Sequence, residues 1–231
     1  MLFTAKAPTG HWRFNTLLAT THIPLSQVSV QLGPDQVIRH LDRLLAFTQR
    51  FRSHPRLVVA ALNPHAGENG LLGQEEQQWL APTLARWRGL HPTVTLEGPL
   101  PPDTCWLEAA SAWRGEQPGP DGYLAMYHDQ GLIPVKLLAF DAAVNTTLGL
   151  PFLRTSPDHG TAFDIAGLGV ARSKGMEAAL ETAWELGCVA GIKAGIRKAG
   201  SASEPGQTPQ GFGSPRESQS LPRLTRHRAH S

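Results

Sequence analysis

AMYHDQGLIPVK, residues 125–136, places a histidine, an aspartate and a lysine directly after an apolar run. That run begins earlier, as GYLAMYH at residues 122–128, and its composition predicts a buried β-strand. In open α/β sheets, ligands bind beyond the carboxyl ends of the strands. We therefore expect His128 and Asp129 to lie at a ligand-binding edge of a sheet, with Lys136 further along the same segment.

Outward from this stretch, strand-like runs alternate with helical patterns. The predicted strands are residues 15–25, 56–62, 93–98, 122–128 and 142–152. The predicted helices are residues 33–51, 74–90 and 173–199. Their core-facing residues are predicted to include Val37, Ile38, Leu41, Leu44, Leu45, Phe51, Trp79, Leu80, Leu84 and Trp87. This alternation is typical of an α/β fold with a mostly parallel sheet.

Two more histidines, His22 in ATTHIPL and His65 in NPHAGE, each follow an apolar, strand-like run by at most a few residues. Together with His128 they resemble the three protein ligands of a catalytic divalent-metal site, for which neutral imidazole is well suited. No HxxxH or HxH spacing links them, so a hydrogen-bonded structural role is the alternative for each histidine. Asp103 in GPLPPDT and Asp129 are the candidate catalytic carboxylates, which could orient a ligand or hold the metal, and turn formation or helix capping is their alternative.

Two cations and an amide follow the histidine segment. Lys136, Asn145 and Arg154 could hold a phosphate or a carboxylate, with arginine as a fork and lysine as a point charge. Surface ion pairs are the alternative for the two cations. The chain contains no GxGxxG, so a dinucleotide would not bind through the Rossmann fingerprint.

The composition predicts a globular part at residues 1–199 and a disordered tail at residues 200–231, which are rich in Ser, Pro, Gly and Gln. Hydrophobic residues make up 41% and charged residues 17% of the 231 residues. The formal net charge of +2 gives no reason to expect a nucleic-acid or acidic-membrane partner. No apolar run approaches the roughly 20 residues of a membrane span. Two cysteines without a CxxC spacing favour a reduced, cytoplasmic setting.

Several long sequence stretches resemble those of a known protein family and occur in the same order along the chain. They are ATTHIPL, LNPHAGENGLLGQEE, GPLPPDT, AMYHDQGLIPVK and VNTTLGLPFLRTSPDHGTAFDIAG. Together they resemble the 4-hydroxythreonine-4-phosphate dehydrogenase family of pyridoxine and pyridoxal phosphate biosynthesis, over about residues 1–199. The resemblance implies an isocitrate/isopropylmalate dehydrogenase-like fold of layered α/β/α domains, with the active site in a cleft.

The resemblance also implies a site and a reaction. Matched motif by motif, the metal ligands are His22, His65 and His128, contributed across a homodimer interface to zinc, magnesium or cobalt. The substrate-binding residues fall on Lys136, Asn145 and Arg154, and the aspartate of PLPPDT is Asp103. NAD or NADP takes a hydride from C3 of 4-phosphohydroxy-L-threonine. Decarboxylation then gives 3-amino-2-oxopropyl phosphate.

The chain departs from the family pattern in where it begins. It corresponds to the C-terminal part of the family, so we expect it to be truncated at the N-terminus. The front half of the family carries most of one domain and a further substrate-binding His-Thr pair. Three interpretations remain: an incomplete product, an inactive copy, or a chain that pairs with a separately encoded front half. A dehydrogenase for a phosphorylated four-carbon sugar acid and an inactive metal- or phosphate-binding remnant are the alternative functions. Loss of one cleft wall predicts exposed apolar surface and self-association.

Overall fold

The computed structural model describes residues 1–189, so the predicted tail at residues 200–231 and the end of the last predicted helix lie outside the described residues. The strands are β1 (Leu2–Lys6), β2 (Arg13–Leu18), β3 (Arg56–Ala60), β4 (Thr95–Leu100), β5 (Gly122–Ala125), β6 (Val144–Thr146) and β7 (Thr155–Pro157). The α-helices are α1 (Val28–Gln31), α2 (Pro34–Thr48), α3 (Ala81–Leu90), α4 (Leu107–Trp113), α5 (His128–Ala139) and α6 (Lys174–Val189). No helix among these residues is long and apolar enough to cross a membrane.

The described strands form one sheet in the order β4-β3-β5-β2-β1-β6-β7. The first four are parallel to one another, while β1 runs antiparallel to both β2 and β6, and β7 is antiparallel to β6. The expectation of a mostly parallel sheet is therefore wrong for the β1–β6–β7 side. The reason is local: a tight turn closed by the Ala7 N–H and the Trp12 carbonyl joins β1 to β2 as a hairpin, and such a short connection requires antiparallel strands.

Helices cover both faces of the sheet, which gives three α/β/α layers. Alternate residues of β3 enter opposite cores: Leu57 and Val59 pack on the α2 and α3 side, whereas Val58 and Ala60 pack on the α4 and α5 side. Burial on both faces explains why parallel strands appear in the sequence as continuous apolar runs. The layered α/β expectation is confirmed.

Helix α2 shows how the helical pattern translates into packing. Pro34 occupies its first turn, and the predicted core residues Val37, Leu41 and Leu44 are fully buried. Phe51 was expected to face the core but lies beyond the end of the helix and is 45% exposed. The backbone leaves the helix after Thr48, so the 3.6-residue period no longer governs position 51.

We expect His40, on α2, to make the folded chain less stable as the pH drops. Burial, reinforced by the positive charge of Arg43, lowers the pKa of His40 from its ordinary value. The unfolded chain then binds more protons than the folded chain once the pH falls below about 6.5, so stability is present at neutral pH and is lost in acid. Urea unfolding over this range should show a smaller loss for His40→Gln than for the wild type, and His54→Gln, at an exposed position, should match the wild type.

Candidate active site

The three candidate histidines follow three neighbouring parallel strands. His22 comes after β2, His65 after β3 and His128 after β5, each within five residues of the end of its strand. Because β3, β5 and β2 are adjacent and parallel, all three histidines lie beyond the same, carboxyl edge of the sheet. The edge was predicted from the apolar runs alone.

Two of the histidines come together. The ring centres of His22 and His128 are 5.4 Å apart, with His22 exposed and His128 half-buried. Two imidazoles that bind one tetrahedral ion through nitrogens about 2.0–2.1 Å away would have ring centres about 5 Å apart. The separation of this pair therefore fits a shared cation.

Asp129 fixes the tautomer of His128. Nδ1 of His128 lies 2.7 Å from Oδ1 of Asp129. An ionised carboxylate only accepts hydrogen bonds, so Nδ1 is the donor and the lone pair of Nε2 is free for a metal. The two residues open α5, which begins at His128, so the predicted strand over residues 122–128 ends earlier than expected and His128 lies in the first turn of a helix.

His65 lies on an unusual turn, residues Pro64–Gly70. Five consecutive residues from His65 to Asn69 have positive φ, and only one of them, Gly67, is a glycine. Left-handed backbone costs L-residues about 1–2 kcal/mol each, so contacts from the rest of the fold must hold this turn in place. Within residues 1–189 of one chain, no group of three or more His, Cys, Asp or Glu side chains is placed to hold a metal, so His65 does not join the His22–His128 pair in a single subunit.

Gln130 links the histidine-bearing segments to each other, and it is not among the residues predicted from the sequence. Its side chain is buried, accepts a hydrogen bond from the Met126 N–H at 2.6 Å and donates to the Ala61 carbonyl at 2.7 Å. It thereby links the end of β5 to the end of β3. Its place inside the HDQG stretch is the one signal that could have drawn attention to it.

Lys136 lies two turns beyond His128 on α5, about 12 Å along the helix axis. Its Nζ is 2.6 Å from Oδ2 of Asp158 and donates to the Asp158 carbonyl at 2.7 Å. The ion-pair alternative is therefore what the structure contains at this position. A lysine ammonium has three N–H donors, so donor capacity remains for a further anion.

Asn145 lies on β6, and Arg154 comes directly before β7. Asn145, on β6, is directly opposite Phe3, whose side chain packs with α5, so the asparagine shares the face of the sheet that carries Lys136. Its Oδ1 is buried and has no hydrogen-bond partner within the described part of the chain. Such an atom normally has a partner, which favours a bound donor here. Arg154 is exposed, and its Nη1 donates to Thr147 Oγ1 at 3.0 Å.

Asp103 occupies the turn after β4, at the carboxyl edge one strand beyond β3, and is exposed. Burial, together with the charge of Asp103, raises the pKa of the nearby Cys105 thiol to about 12. The thiolate is the nucleophilic form of cysteine, so Cys105 is inert at neutral pH. The candidates for chemistry at this edge are therefore its imidazoles and carboxylates.

Comparison with known proteins gives a consistent result. The family model described as pyridoxal phosphate biosynthetic protein PdxA matches residues 1–183. The chain is 64% identical over 190 residues to a 4-hydroxythreonine-4-phosphate dehydrogenase of Synechococcus sp. (strain RCC307), covering 81% of this chain and 58% of the relative. It is 56% identical over 192 residues to the protein of the same name from Thermosynechococcus vestitus, covering 80% and 56%.

A solved structure agrees with these relatives. The crystal structure of 4-hydroxythreonine-4-phosphate dehydrogenase from Klebsiella pneumoniae superimposes with a TM-score of 0.64 at 41% identity, over 80% of this chain and 54% of that one. The chain thus spans just over half the length of the relatives it matches.

Proposed function

The chain belongs to the PdxA family of pyridoxal phosphate biosynthetic proteins, and on this premise we propose that it forms the metal- and substrate-binding part of a 4-hydroxythreonine-4-phosphate dehydrogenase. Its α/β sheet has the isocitrate/isopropylmalate dehydrogenase-like fold of its structural relatives. The observation that carries the proposal is the His22–His128 pair, with Asp129 leaving Nε2 of His128 free.

The proposed reaction is the oxidation of 4-phosphohydroxy-L-threonine. The C–H bond at C3 breaks as a hydride passes to NAD⁺ or NADP⁺, and the hydroxyl loses its proton to give a ketone. The bond between the carboxyl carbon and C2 of the resulting β-keto acid then breaks to release carbon dioxide, and C2 takes up a proton to give 3-amino-2-oxopropyl phosphate. The only oxidant required is the nicotinamide cofactor.

The chain's own residues have distinct roles in this proposal. His22 and His128 would hold a divalent cation, zinc, magnesium or cobalt, and Asp129 orients His128. When bound, the cation acts as a Lewis acid toward the reacting oxygen of the substrate. His65 would complete the ligand set of a second subunit in a homodimer, because within one described chain it does not join the pair.

Lys136, Asn145 and Arg154 would bind the anionic groups of the substrate and so position C3 near the cation. The remaining donor capacity of Lys136 and the unpartnered Oδ1 of Asn145 support this role. The amide oxygen accepts hydrogen bonds, so it suits a substrate hydroxyl or ammonium group, whereas the two cations suit phosphate and carboxylate. Asp103, at the same edge, is the remaining candidate acid or base.

The test is turnover by the 231-residue chain. We expect 4-phosphohydroxy-L-threonine with NAD⁺ or NADP⁺ to give reduced nicotinamide only when a divalent cation is present, and a chelator to stop it. Metal binding without nucleotide binding or turnover would leave the family assignment standing, would contradict activity of this chain, and would favour a metal-binding remnant. Turnover restricted to a phosphorylated four-carbon sugar acid, in a panel of substrates, would favour the alternative dehydrogenase.

A further inference from the structure

Glu76 is a buried carboxylate next to the turn that carries His65. The residue is 3% exposed. Its Oε1 accepts hydrogen bonds from the main-chain N–H groups of Leu62 at 2.9 Å and Asn63 at 2.8 Å, and its Oε2 accepts from Asn63 Nδ2 at 2.9 Å. The carboxylate therefore grips the two residues through which the chain leaves β3 and enters the left-handed turn.

The middle of the turn, at Gly67, also lies close to the Glu76 carboxylate. A Cβ placed on Gly67 would lie 2.8 Å from Glu76 Oε2 and 2.8 Å from the Gly73 carbonyl oxygen. There is no room between the turn and the carboxylate for even one carbon atom. One side chain thus touches the backbone of the turn at its middle and holds the chain by hydrogen bonds at its entry.

The helix that presents Glu76 is itself irregular. Residues Glu76–Leu80 form a π-helical turn that leads directly into α3, and both Glu76 and Leu80 are buried. Single π-turns occur often at functional sites, because the extra residue changes the direction in which side chains point. Here the first residue of the turn points into the carboxyl edge of the sheet, while Leu80 joins the core.

We propose that Glu76 is a positioning residue for His65: its carboxylate holds Leu62 and Asn63, at the entry of the turn, and thereby the left-handed turn at His65–Asn69 that presents the imidazole as a metal ligand. The second half of this statement rests on the proposed metal-dependent function. The first half concerns the chain alone and can be tested without metal.

Glu75 provides a matched control. It is the preceding residue, has the same side chain and accepts a hydrogen bond from the same Asn63 Nδ2 at 2.9 Å, but it accepts none from the main chain of the turn. Glu76→Ala removes every contact of the carboxylate. Glu76→Gln keeps the volume and an oxygen for the two main-chain donors, so it should be the milder change and guards against simple unfolding.

The first measurement is amide hydrogen exchange of the metal-free 231-residue chain. We expect exchange in residues 62–72 to become about 10- to 100-fold faster in Glu76→Ala and by a smaller factor in Glu76→Gln, with β3 and α3 unchanged in Glu76→Gln. Glu75→Gln should exchange like the wild type. Exchange in both Glu76 variants equal to that of Glu75→Gln would overturn the proposal.

The second measurement is Co²⁺ affinity, with the visible spectrum of the bound ion as a report on its ligands. Changes to residues that orient metal ligands cost about 10- to 100-fold in affinity, and we expect a loss in this range for Glu76→Ala, with partial recovery in Glu76→Gln. A looser turn with unchanged Co²⁺ affinity and spectrum would overturn the positioning of His65. A wild-type chain that binds no Co²⁺ would contradict the proposed function, and the exchange data would then decide by themselves whether Glu76 holds the turn.

Discussion

Replacement of His128 by alanine is expected to reduce the affinity of the chain for divalent cations by more than about 100-fold and to remove any metal-dependent turnover. The ring is one of two that lie at the separation a shared ion requires, and Asp129 fixes the tautomer that leaves its Nε2 free. Loss of a ligand should exceed the about 10- to 100-fold cost of changing a residue that only orients one. Titration calorimetry with Zn²⁺ or Co²⁺ measures the effect.

Two companion variants make the result specific. Asp129→Asn keeps an oxygen that can accept from Nδ1 of His128, so its loss of affinity should be smaller than that of His128→Ala. His11→Ala removes an exposed histidine of the β1–β2 turn, at the opposite edge of the sheet, and should leave metal binding unchanged. Wild-type affinity in His128→Ala would remove the metal site from the proposal, whatever the family of the chain.

The strands that carry the candidate histidines could be predicted from the sequence, because parallel strands buried on both faces form continuous apolar runs. The strands at Arg56–Ala60 and Gly122–Ala125 both lie within predicted runs, and so does most of the strand at Arg13–Leu18. Because the three histidines come at or just after the ends of these apolar runs, they could be predicted to lie at one edge of the sheet. That edge depends only on strand direction, so it survived the wrong prediction of a mostly parallel sheet elsewhere.

The local conformation at two of the histidines was beyond sequence reasoning. Glycine is the usual marker of left-handed backbone, but four of the five left-handed residues at His65–Asn69 are not glycine, so the turn is set by contacts such as those of Glu76. At His128, the apolar pattern continues through Leu132 and Val135, and a short apolar run does not distinguish a strand end from a helix start.

Periodicity also predicts an apolar face without saying what covers it. Met176, Leu180 and Trp184 recur at helical spacing on α6, yet each is more than half exposed, as are Ile133 and Leu137 on α5. This surface agrees with the expectation of exposed apolar area. Self-association through it stays a prediction, and the concentration dependence of sedimentation tests it.

Replacement of Leu84 by alanine is expected to lower the free energy of unfolding by about 3 kcal/mol, within the 2–5 kcal/mol typical of a buried leucine, because the cavity left behind cannot fully collapse. Leu84 is 0% exposed and lies in the core between α2, α3 and the sheet. Urea unfolding of the 231-residue chain, with an unchanged denaturant slope, measures the loss.

Leu90→Ala is the control that shows whether the loss comes from the burial of Leu84 rather than from replacing any leucine of α3. It is the same residue type on the same helix, α3, but it is 69% exposed, so Leu90→Ala should change the free energy of unfolding by less than about 0.5 kcal/mol. Equal losses for the two variants would contradict the burial of this face of α3. Leu84→Ala should also leave Co²⁺ affinity unchanged wherever the chain remains folded, because Leu84 belongs to the hydrophobic core between α2, α3 and the sheet. Glu76→Gln should show the opposite pattern: its loss in the free energy of Co²⁺ binding should exceed its loss in the free energy of unfolding. This contrast distinguishes a residue that stabilises the fold from one that positions a metal ligand.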